Sequence, residues 1–443
     1  MKDDERRTRQ RTSRVPEGRG ERIARLAGLL AAIAGESALE ALRRVAGAGE
    51  RDASLLLTRA SARRLADTLA DLRGAAMKLG QLLSLQGDDL LSPALRETLA
   101  GLQSHAHFMP EAQVRQVLAN ELGRDWKRRF AEFDFEPLAA ASIGQVHAAH
   151  ARDGRDLALK LQYPGVERSI DGDVDNLSLL LRALRLVPPG LDLDSVVPEL
   201  KEELRREADY GREARSQEQY RAHVGDDPGV LVPRVHSDLS THRVLASDRV
   251  RALPIEDLRS PAHPQRLRDA VGAKLLRLVF RELFEFRFVQ TDPNFGNYLY
   301  EPKHERVALL DFGSVRSFSR HFTDRYRELI AATVAGERTE VEERGRELGL
   351  LRGDESAEAC AAFAELSLRV AEPLAHRGPY DFAGTHLARE VRDLGVEAYT
   401  RRGLHAPPTE LIFLHRKLAG TYLLLAHIGA RVDCARMFEE FAG

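Results

Sequence analysis

Two short segments constrain this chain more than anything else in it: Gln290-Thr-Asp-Pro-Asn-Phe-Gly-Asn297 and Leu310-Asp-Phe-Gly313. They set a carboxylate, Asp292, five residues before an amide, Asn297, and place a second carboxylate, Asp311, fourteen residues further on. All three side chains carry hard oxygen donors, the kind that hold a small divalent cation together with phosphate oxygens. Taken singly, each segment also has a plainer reading, an Asp-Pro turn in a loop or the polar end of a strand.

The separation of Asp292 and Asn297 is that of the catalytic-loop aspartate and asparagine in protein kinases, and Asp311 stands in a literal Asp-Phe-Gly. Upstream segments follow the same order. Asp156-Leu-Ala-Leu-Lys-Leu-Gln162 alternates as a strand does, with Lys160 as its single cation. A strand through Ala139-Ala-Ala-Ser-Ile-Gly-Gln-Val-His147 precedes it, with a turn at Asp153-Gly154 between them. A kinase N-lobe has this succession of phosphate loop, hairpin and a lysine aimed at nucleotide phosphates. The plainer reading of Lys160 is an edge-strand lysine that guards against aggregation. Lysine is scarce here, however: of 66 basic side chains only eight are lysine, so arginine fills the ordinary basic positions. A compact ammonium on a flexible stem does work at a phosphate that a planar guanidinium does not replace. That singles out Lys160 and Lys78 and leaves the other six lysines as incidental.

At 443 residues the chain is long enough for two lobes and extra helices. Its 66 basic and 68 acidic residues nearly cancel, for a formal net charge of −2, which gives no footprint for nucleic acid. Cys360 and Cys434 alone imply neither a disulfide framework nor a zinc site and fit a reducing compartment. No uninterrupted apolar run of about eighteen residues occurs, so no single helix is expected to span a membrane. The apolar stretch Leu26 to Gly35 lacks the flanks of a secretory signal.

Residues 1 to 20 are polar, arginine-rich and interrupted by Pro16, Gly18 and Gly20, the composition of a disordered tail. From Glu21 to Val45, Ile23, Leu26, Leu29, Leu30 and Ile33 share one side of a helical pattern. That helix either lies in the plane of an anionic lipid surface or packs on its own domain. Residues 52 to 125 give three or more helices, among them Ala53 to Leu72 and Glu111 to Leu122, where Pro110 suits a first turn. Lys78 and Gln81 are three apart on one helix face and need partners if buried. Glu207, Asp209 and Glu213 offer them: they read as one helix whose acids cannot all be paired locally, or else as a solvated charged helix.

Together these segments resemble the UbiB, or aarF-domain, atypical kinase-like family in its coenzyme-Q-biosynthesis branch, over residues 22 to 435. The marks are Lys78-Leu-Gly-Gln81, an alanine-rich Ala139-Ala-Ala-Ser142 in place of a glycine-rich loop, Lys160, Glu207-Ala-Asp209, Glu213, Asp292, Asn297 and Asp311. Gln290-Thr-Asp292, where other branches have a His-Ala-Asp form, points to the branch with mitochondrial members and their bacterial relatives. The resemblance implies ATP or ADP bound with Mg2+. Lys160 would meet the phosphates and pair with Glu213. Ala139, Ala140, Ala141, Ser142, Ile143 and Gly144 would form the phosphate loop, and the backbone around Asp248 and Val250 would meet adenine. Asn297 and Asp311 would hold the metal, and Asp292 would take the base position, orienting water in an ATPase. The helix of Lys78 and Gln81 would fold across the front of the cleft, meet Glu207 and Asp209, and suppress phosphorylation of proteins in trans. The alanine-rich loop is expected to be stiff, because positive φ costs an alanine roughly 1–2 kcal/mol.

Two departures accompany the match. Arg251-Ala252 stands where Glu-Gly is common, which affects the adenine-side wall. The stretch Leu411 to Ala426 carries His415, Arg416 and Lys417, so it reads as a C-lobe helix where bacterial relatives have hydrophobic spans. The expected fold is α+β and atypical-protein-kinase-like. It comprises a disordered tail over 1–20, a helical N-terminal extension over 21–125 packed over the cleft, a small N-lobe with a mixed, mostly antiparallel sheet over 126–252, and a helical C-lobe over 253–443. Between Lys160 and Glu213 a helix is expected from Asp175 to Leu186, then a break at Pro188-Pro189-Gly190. Three functions fit: an Mg-dependent ATPase supporting ubiquinone biosynthesis, a phosphotransferase on a small or lipid-like acceptor, and a nucleotide-binding scaffold for a biosynthetic complex. The expected location is cytoplasmic and peripheral at the inner membrane, with anionic lipid and quinone-biosynthesis proteins as partners and no nucleic acid. The oligomeric state stays open, homodimer included.

Overall fold

A computed structural model describes residues 108–183, 193–405 and 407–442, together with Leu72, Gly74, Ala75, Lys78 and Leu79. The tail over 1–20, the helix from Glu21 to Val45, most of the helix from Ala53 to Leu72, Gln81 and the break at Pro188-Pro189-Gly190 lie outside the described residues. The chain divides into two compact units, one of residues up to Arg212 plus Val235–Arg249, the other of Glu213–Arg234 and Val250 onward.

After the few described residues between 72 and 79, the described part of the first unit runs through α1 (Glu111–Leu122), which the chain enters through an extended Pro110. Three strands follow, β1 (Phe130–Ala140), β2 (Gly144–Ala151) and β3 (Asp156–Gln162). Then come α2 (Val166–Ala183), α3 (Leu193–Glu207) and α4 (Tyr210–Val224), the last running on into the second unit. β4 (Val230–Leu231) belongs to the second unit, and β5 (Val244–Asp248) returns to the first. The first unit's sheet runs β1-β2-β3-β5, with every neighbouring pair antiparallel. Strand alternation explains β3: Leu157, Leu159 and Leu161 are fully buried with Val114 and Leu118 of α1, each contributing about 1.5–3 kcal/mol. Lys160 is therefore turned to the opposite face of the sheet.

Two expectations change. The single helix expected over Glu207, Asp209 and Glu213 is two, because α3 ends at Glu207 and Asp209 caps α4. Its Oδ1 accepts the N–H of Arg212 at 2.8 Å, and a short acid that serves an orphan amide favours a helix start over continuation. The helix expected from Asp175 already begins at Val166.

A buried polar cluster ties α1 to the sheet. Gln145 Oε1 accepts the N–H of Met109 at 2.7 Å, Gln145 Nε2 lies 2.7 Å from His147 Nε2, and His147 Nδ1 lies 2.8 Å from the carbonyl of Asp134. The carbonyl demands an Nδ1–H, so His147 is neutral with Nε2 as acceptor. Burial holds its pKa below the ordinary 6.5.

The second unit continues with β6 (Leu253–Pro254) and α5 (Gln265–Phe280), which widens into a π-helical turn over Arg281–Phe286. β7 (Phe288–Gln290), β8 (Tyr298–Glu301), β9 (Arg306–Leu309) and β10 (Val315–Ser317) follow. The order β4-β9-β8-β6 makes a four-stranded sheet, and β7 pairs with β10. The rest is mainly helical: α6 (Arg320–Ala335), α7 (Arg338–Glu347), α8 (Ala357–Val370), α9 (Glu372–Ala375), α10 (Leu387–Thr400), α11 (Thr409–Ile428) and α12 (Cys434–Glu439). Among the described residues no helix is long and apolar enough to cross a membrane.

The neutral His147 makes stability fall with acid. Unfolding frees an imidazole that takes up a proton near 6.5, so the unfolded state binds more protons below that pH. The contribution is complete above about 6.5 and declines as pH drops below it. Urea midpoints should fall between pH 7.5 and 5.5 in the wild type and fall less in His147→Asn; equal slopes would assign the acid sensitivity elsewhere.

Candidate functional site

In the second unit the β8–β9 hairpin decides where the acidic segments meet. Tyr298 pairs with Leu309, and one step beyond them the N–H of Leu310 donates to the carbonyl of Asn297 at 3.0 Å. Asn297 and Asp311 therefore leave the same end of one hairpin. Asn297 Nδ2 donates to Asp292 Oδ2 at 3.1 Å, which leaves its carbonyl oxygen as the end offered to a cation. Asp311 Oδ1 accepts the N–H of Gly313 at 2.9 Å, a local turn that fixes the carboxylate. Phe312 of the Asp-Phe-Gly is fully buried, its ring centroid 4.9 Å from that of Tyr220.

An amide oxygen and one carboxylate are a sparse ligand set, and among the described residues no three His, Cys, Asp or Glu side chains form a metal cage. The set suits Mg2+, which keeps waters and phosphate oxygens and takes one or two protein carboxylates.

Helix α11 grips this loop from behind. Arg416 Nη2 sits 3.0 Å from Asp292 Oδ1, with both side chains nearly buried. Both oxygens of Asp292 are thus engaged, one by a guanidinium and one by an amide. One turn along the same face, Gly420 packs so tightly on Pro293 that a β-carbon there would overlap the ring. The next residue to Arg416, Lys417, is fully buried: its ammonium lies 3.1 Å from Glu282 Oε2 and donates to Gln290 Oε1 at 3.1 Å and Tyr298 OH at 3.0 Å. Burial opposes its charge, but Glu282 and Tyr298 outweigh burial and raise its pKa above the ordinary lysine value.

In the first unit the expected phosphate loop is a tight turn. Ala139 and Ala140 finish β1, Gly144 opens β2, and the N–H of Ala141 donates to the carbonyl of Gly144 at 2.9 Å across Ser142 and Ile143. Among described non-glycine residues only Arg287 and Glu305 have positive φ, so the expected backbone cost to the alanines does not arise. Gly144 leaves no room for a side chain, since a β-carbon there would overlap the Leu161 carbonyl oxygen and stand 2.7 Å from the Tyr210 hydroxyl. Lys160 Nζ lies 5.0 Å from the Tyr210 ring centroid, within cation–π range.

Lys78 is fully buried in an ion pair with both Glu207 and Glu203, the latter at 3.0 Å. The second oxygen of Glu207 accepts the Ser142 hydroxyl at 2.7 Å. Gly74, one turn before Lys78, faces Ile143, whose Cγ2 would be 3.0 Å from an added β-carbon. The N-terminal extension, α3 and the turn after β1 thus meet at one carboxylate. Asp209 caps α4 and lies 3.4 Å from His242 Nδ1. Asp248, exposed at the end of β5, lies 2.7 Å from His236 Nε2. Glu213, buried on α4, and Val250 belong to the second unit.

Sequence reading used Gln290 as a branch mark and Arg416 and Lys417 as signs of a C-lobe helix, and gave none of them, nor Glu203 or Glu282, a place in the site. The scarcity of lysine was a signal for Lys417, as was the position of two adjacent cations inside the apolar run Leu411 to Ala426.

The fold and these residues define an α+β, protein-kinase-like enzyme. Residues 101–344 match the ABC1 atypical kinase-like domain, and the chain belongs to that family. Among its relatives, the mitochondrial atypical kinase COQ8B of Rattus norvegicus is 39% identical over 435 residues, spanning 98% of this chain and 82% of the relative. The mitochondrial atypical kinase COQ8 of Saccharomyces cerevisiae is 36% identical over 444 residues, spanning 99% and 87%. Among solved structures, the complex of Rv3197 with erythromycin from Mycobacterium tuberculosis superposes with a TM-score of 0.61 at 27% identity, covering 86% of this chain and 95% of that one. The chain is an atypical kinase of the ATP-binding, UbiB type.

Arg416→Met leaves the Asp292 carboxylate buried beside one amide and no cation, which should cost about 3–5 kcal/mol in urea unfolding. Adding Asp292→Asn should recover most of that loss. A single variant as stable as the wild type would show that the pair is not holding the loop.

Proposed function

We propose that this chain is an Mg-dependent ATPase of kinase ancestry that supports coenzyme Q biosynthesis at a membrane surface. The observation that carries the reading is the β8–β9 hairpin with its attached amide and carboxylates: Asn297 and Asp311 issue from one hairpin end, and Asn297 is bonded to Asp292. When bound, Mg2+ would neutralise charge developing on the phosphates, with Asn297 and Asp311 as its ligands. Lys160 supplies the ammonium for the phosphates, and Glu213 the helix-borne carboxylate of the kinase pattern. The turn from Ala139 to Gly144 contacts phosphate, and the backbone at Asp248 and Val250 contacts adenine. Asp292, with both oxygens engaged, positions a water or acceptor hydroxyl. The 36–39% identity to proteins named COQ8 over nearly the whole chain supports the place in coenzyme Q biosynthesis.

The link of Lys78 to Glu207 and of Glu207 to Ser142 supports a second element of the proposal, that the N-terminal extension suppresses phosphorylation of proteins in trans. Gln81 and Asp209 join Lys78 and Glu207 as its regulatory residues. Robust, Asp292-dependent phosphorylation of an added protein by the full-length chain would remove this element.

ATP hydrolysis by the purified chain, with and without anionic liposomes and phenolic quinone-precursor analogues, tests the activity and its membrane coupling together. Asp311→Asn should abolish Mg-dependent hydrolysis while leaving the fold intact. Pathway function retained in that variant would favour a nucleotide-binding scaffold, and labelled phosphate appearing on an analogue would favour a phosphotransferase. Ala139→Gly should change nucleotide preference or turnover; identical affinities and rates in both proteins would count against a role for the alanine-rich turn.

A further inference from the structure

One carboxamide touches the backbone of both acidic segments. Gln290 Nε2 donates to the carbonyl of Asp292 at 2.8 Å and to that of Asp311 at 3.3 Å. Its Oε1 accepts from Lys417 Nζ at 3.1 Å and lies 3.4 Å from the Tyr298 hydroxyl, while its backbone N–H donates to Glu282 Oε1 at 3.2 Å. Glu282 in turn accepts the Tyr220 hydroxyl at 2.7 Å and pairs with Lys417. Gln290, Glu282, Lys417, Tyr220 and Tyr298 are all buried.

A primary amide has two donors and one oxygen, and here both ends are used. The donor end spans two loop carbonyls that approach from different strands, and the acceptor end is held by a charged, buried ammonium. A glutamate of the same shape would present an oxygen where both carbonyls need a donor, and a methionine would offer no donor at all. The contacts go to main-chain atoms, so Gln290 sets where the two loops run without meeting substrate.

We propose that Gln290 is a positioning residue for phosphoryl transfer: its carboxamide fixes the spacing between the Asp292 and Asp311 segments, and the buried Lys417–Glu282 pair anchors that carboxamide. The inference rests on the reading of Asn297 and Asp311 as metal ligands. Both follow their segments: Asp311 is one of the residues whose carbonyl Gln290 holds, and Asn297 is bonded to the other residue, Asp292. Loosening the spacing therefore weakens metal engagement before it affects nucleotide binding without metal.

The test is ADP-dependent thermal stabilisation of the full chain, measured with EDTA and across a MgCl2 titration, beside Mg-dependent ATP hydrolysis. In Gln290→Met the Mg2+ concentration for half of the ADP-dependent stabilisation should rise roughly tenfold, the scale of one lost hydrogen bond. Stabilisation by ADP in EDTA should match the wild type, and hydrolysis should show the same Mg2+ shift. A variant with a lower melting temperature but an unmoved Mg2+ midpoint makes Gln290 merely structural and overturns the inference. If Gln290→Met does not fold, Lys417→Met with Glu282→Gln carries the test, because it removes the buried charges together and keeps Gln290. Its Mg2+ midpoint should shift in the same direction, and an unchanged midpoint overturns the inference. A wild type that binds ADP without any Mg2+ dependence overturns the metal reading itself and this inference with it, whereas a Mg2+-dependent wild type matched by its variants overturns this inference alone.

Discussion

Two neighbouring cations on α11, Arg416 and Lys417, hold the second unit's chemistry in place. Each is buried and each meets a buried acid far away in sequence, 124 residues for Arg416 with Asp292 and 135 for Lys417 with Glu282. Such pairs add little net stability compared with well-packed apolar groups, yet losing one partner is costly because the other charge is stranded. That asymmetry makes them effective as specificity devices. A loop that drifted from α11 while Asp292 stayed buried would strand its carboxylate, which disfavours other buried placements. The contact of Gly420 with Pro293 closes the remaining freedom by sterics, leaving no room for a side chain between helix and loop.

The first unit uses the same physics with the signs distributed differently. One buried ammonium, Lys78, faces two carboxylates, and one of these, Glu207, also holds the Ser142 hydroxyl. A single carboxylate is thereby shared between the N-terminal extension and the turn that follows β1. Any ligand that changes the Ser142 hydroxyl's partner changes the balance of charge around Lys78, and thermodynamic linkage makes that coupling reciprocal. The arrangement gives Lys78 a physical route to the turn through one shared carboxylate.

Much of this was legible in the sequence, and the rest fails for identifiable reasons. The alternation in Asp156–Gln162 specified strand β3 and with it the separation of Lys160 from the leucine face, since a period of two is a local property. The Asp292, Asn297 and Asp311 spacing predicts one site; the β8–β9 hairpin brings Asn297 and Asp311 to one end, and Asn297 is bonded to Asp292. The helix break at Asp209 was missed because aspartate in an acidic run reads equally as a surface residue and as a cap; only the amide of Arg212 decides. The partners of Arg416 and Lys417 were invisible because periodicity carries no information about contacts more than a hundred residues apart. What could be read was the anomaly itself, two charges inside an apolar helix, which a buried site explains and a solvated face does not.

The two cations are also not interchangeable, and their order on α11 follows from what each must reach. Lys417 serves three acceptors arranged around one point, Glu282, Gln290 and Tyr298, which suits an ammonium with three donors and defeats a planar fork. Arg416 meets a single carboxylate, Asp292, with Nη2 3.0 Å from Oδ1, which a planar guanidinium at the end of a long stem reaches from α11. In a chain that fills nearly every basic position with arginine, lysine at 78 and 417 marks places where a compact ammonium answers several acceptors in a closed space. Lysine at 160 carries the same ammonium on the face of β3 opposite its buried leucines, half-buried over the Tyr210 ring. At 416 and 417 the number and direction of acceptors, not charge alone, separate the two cations.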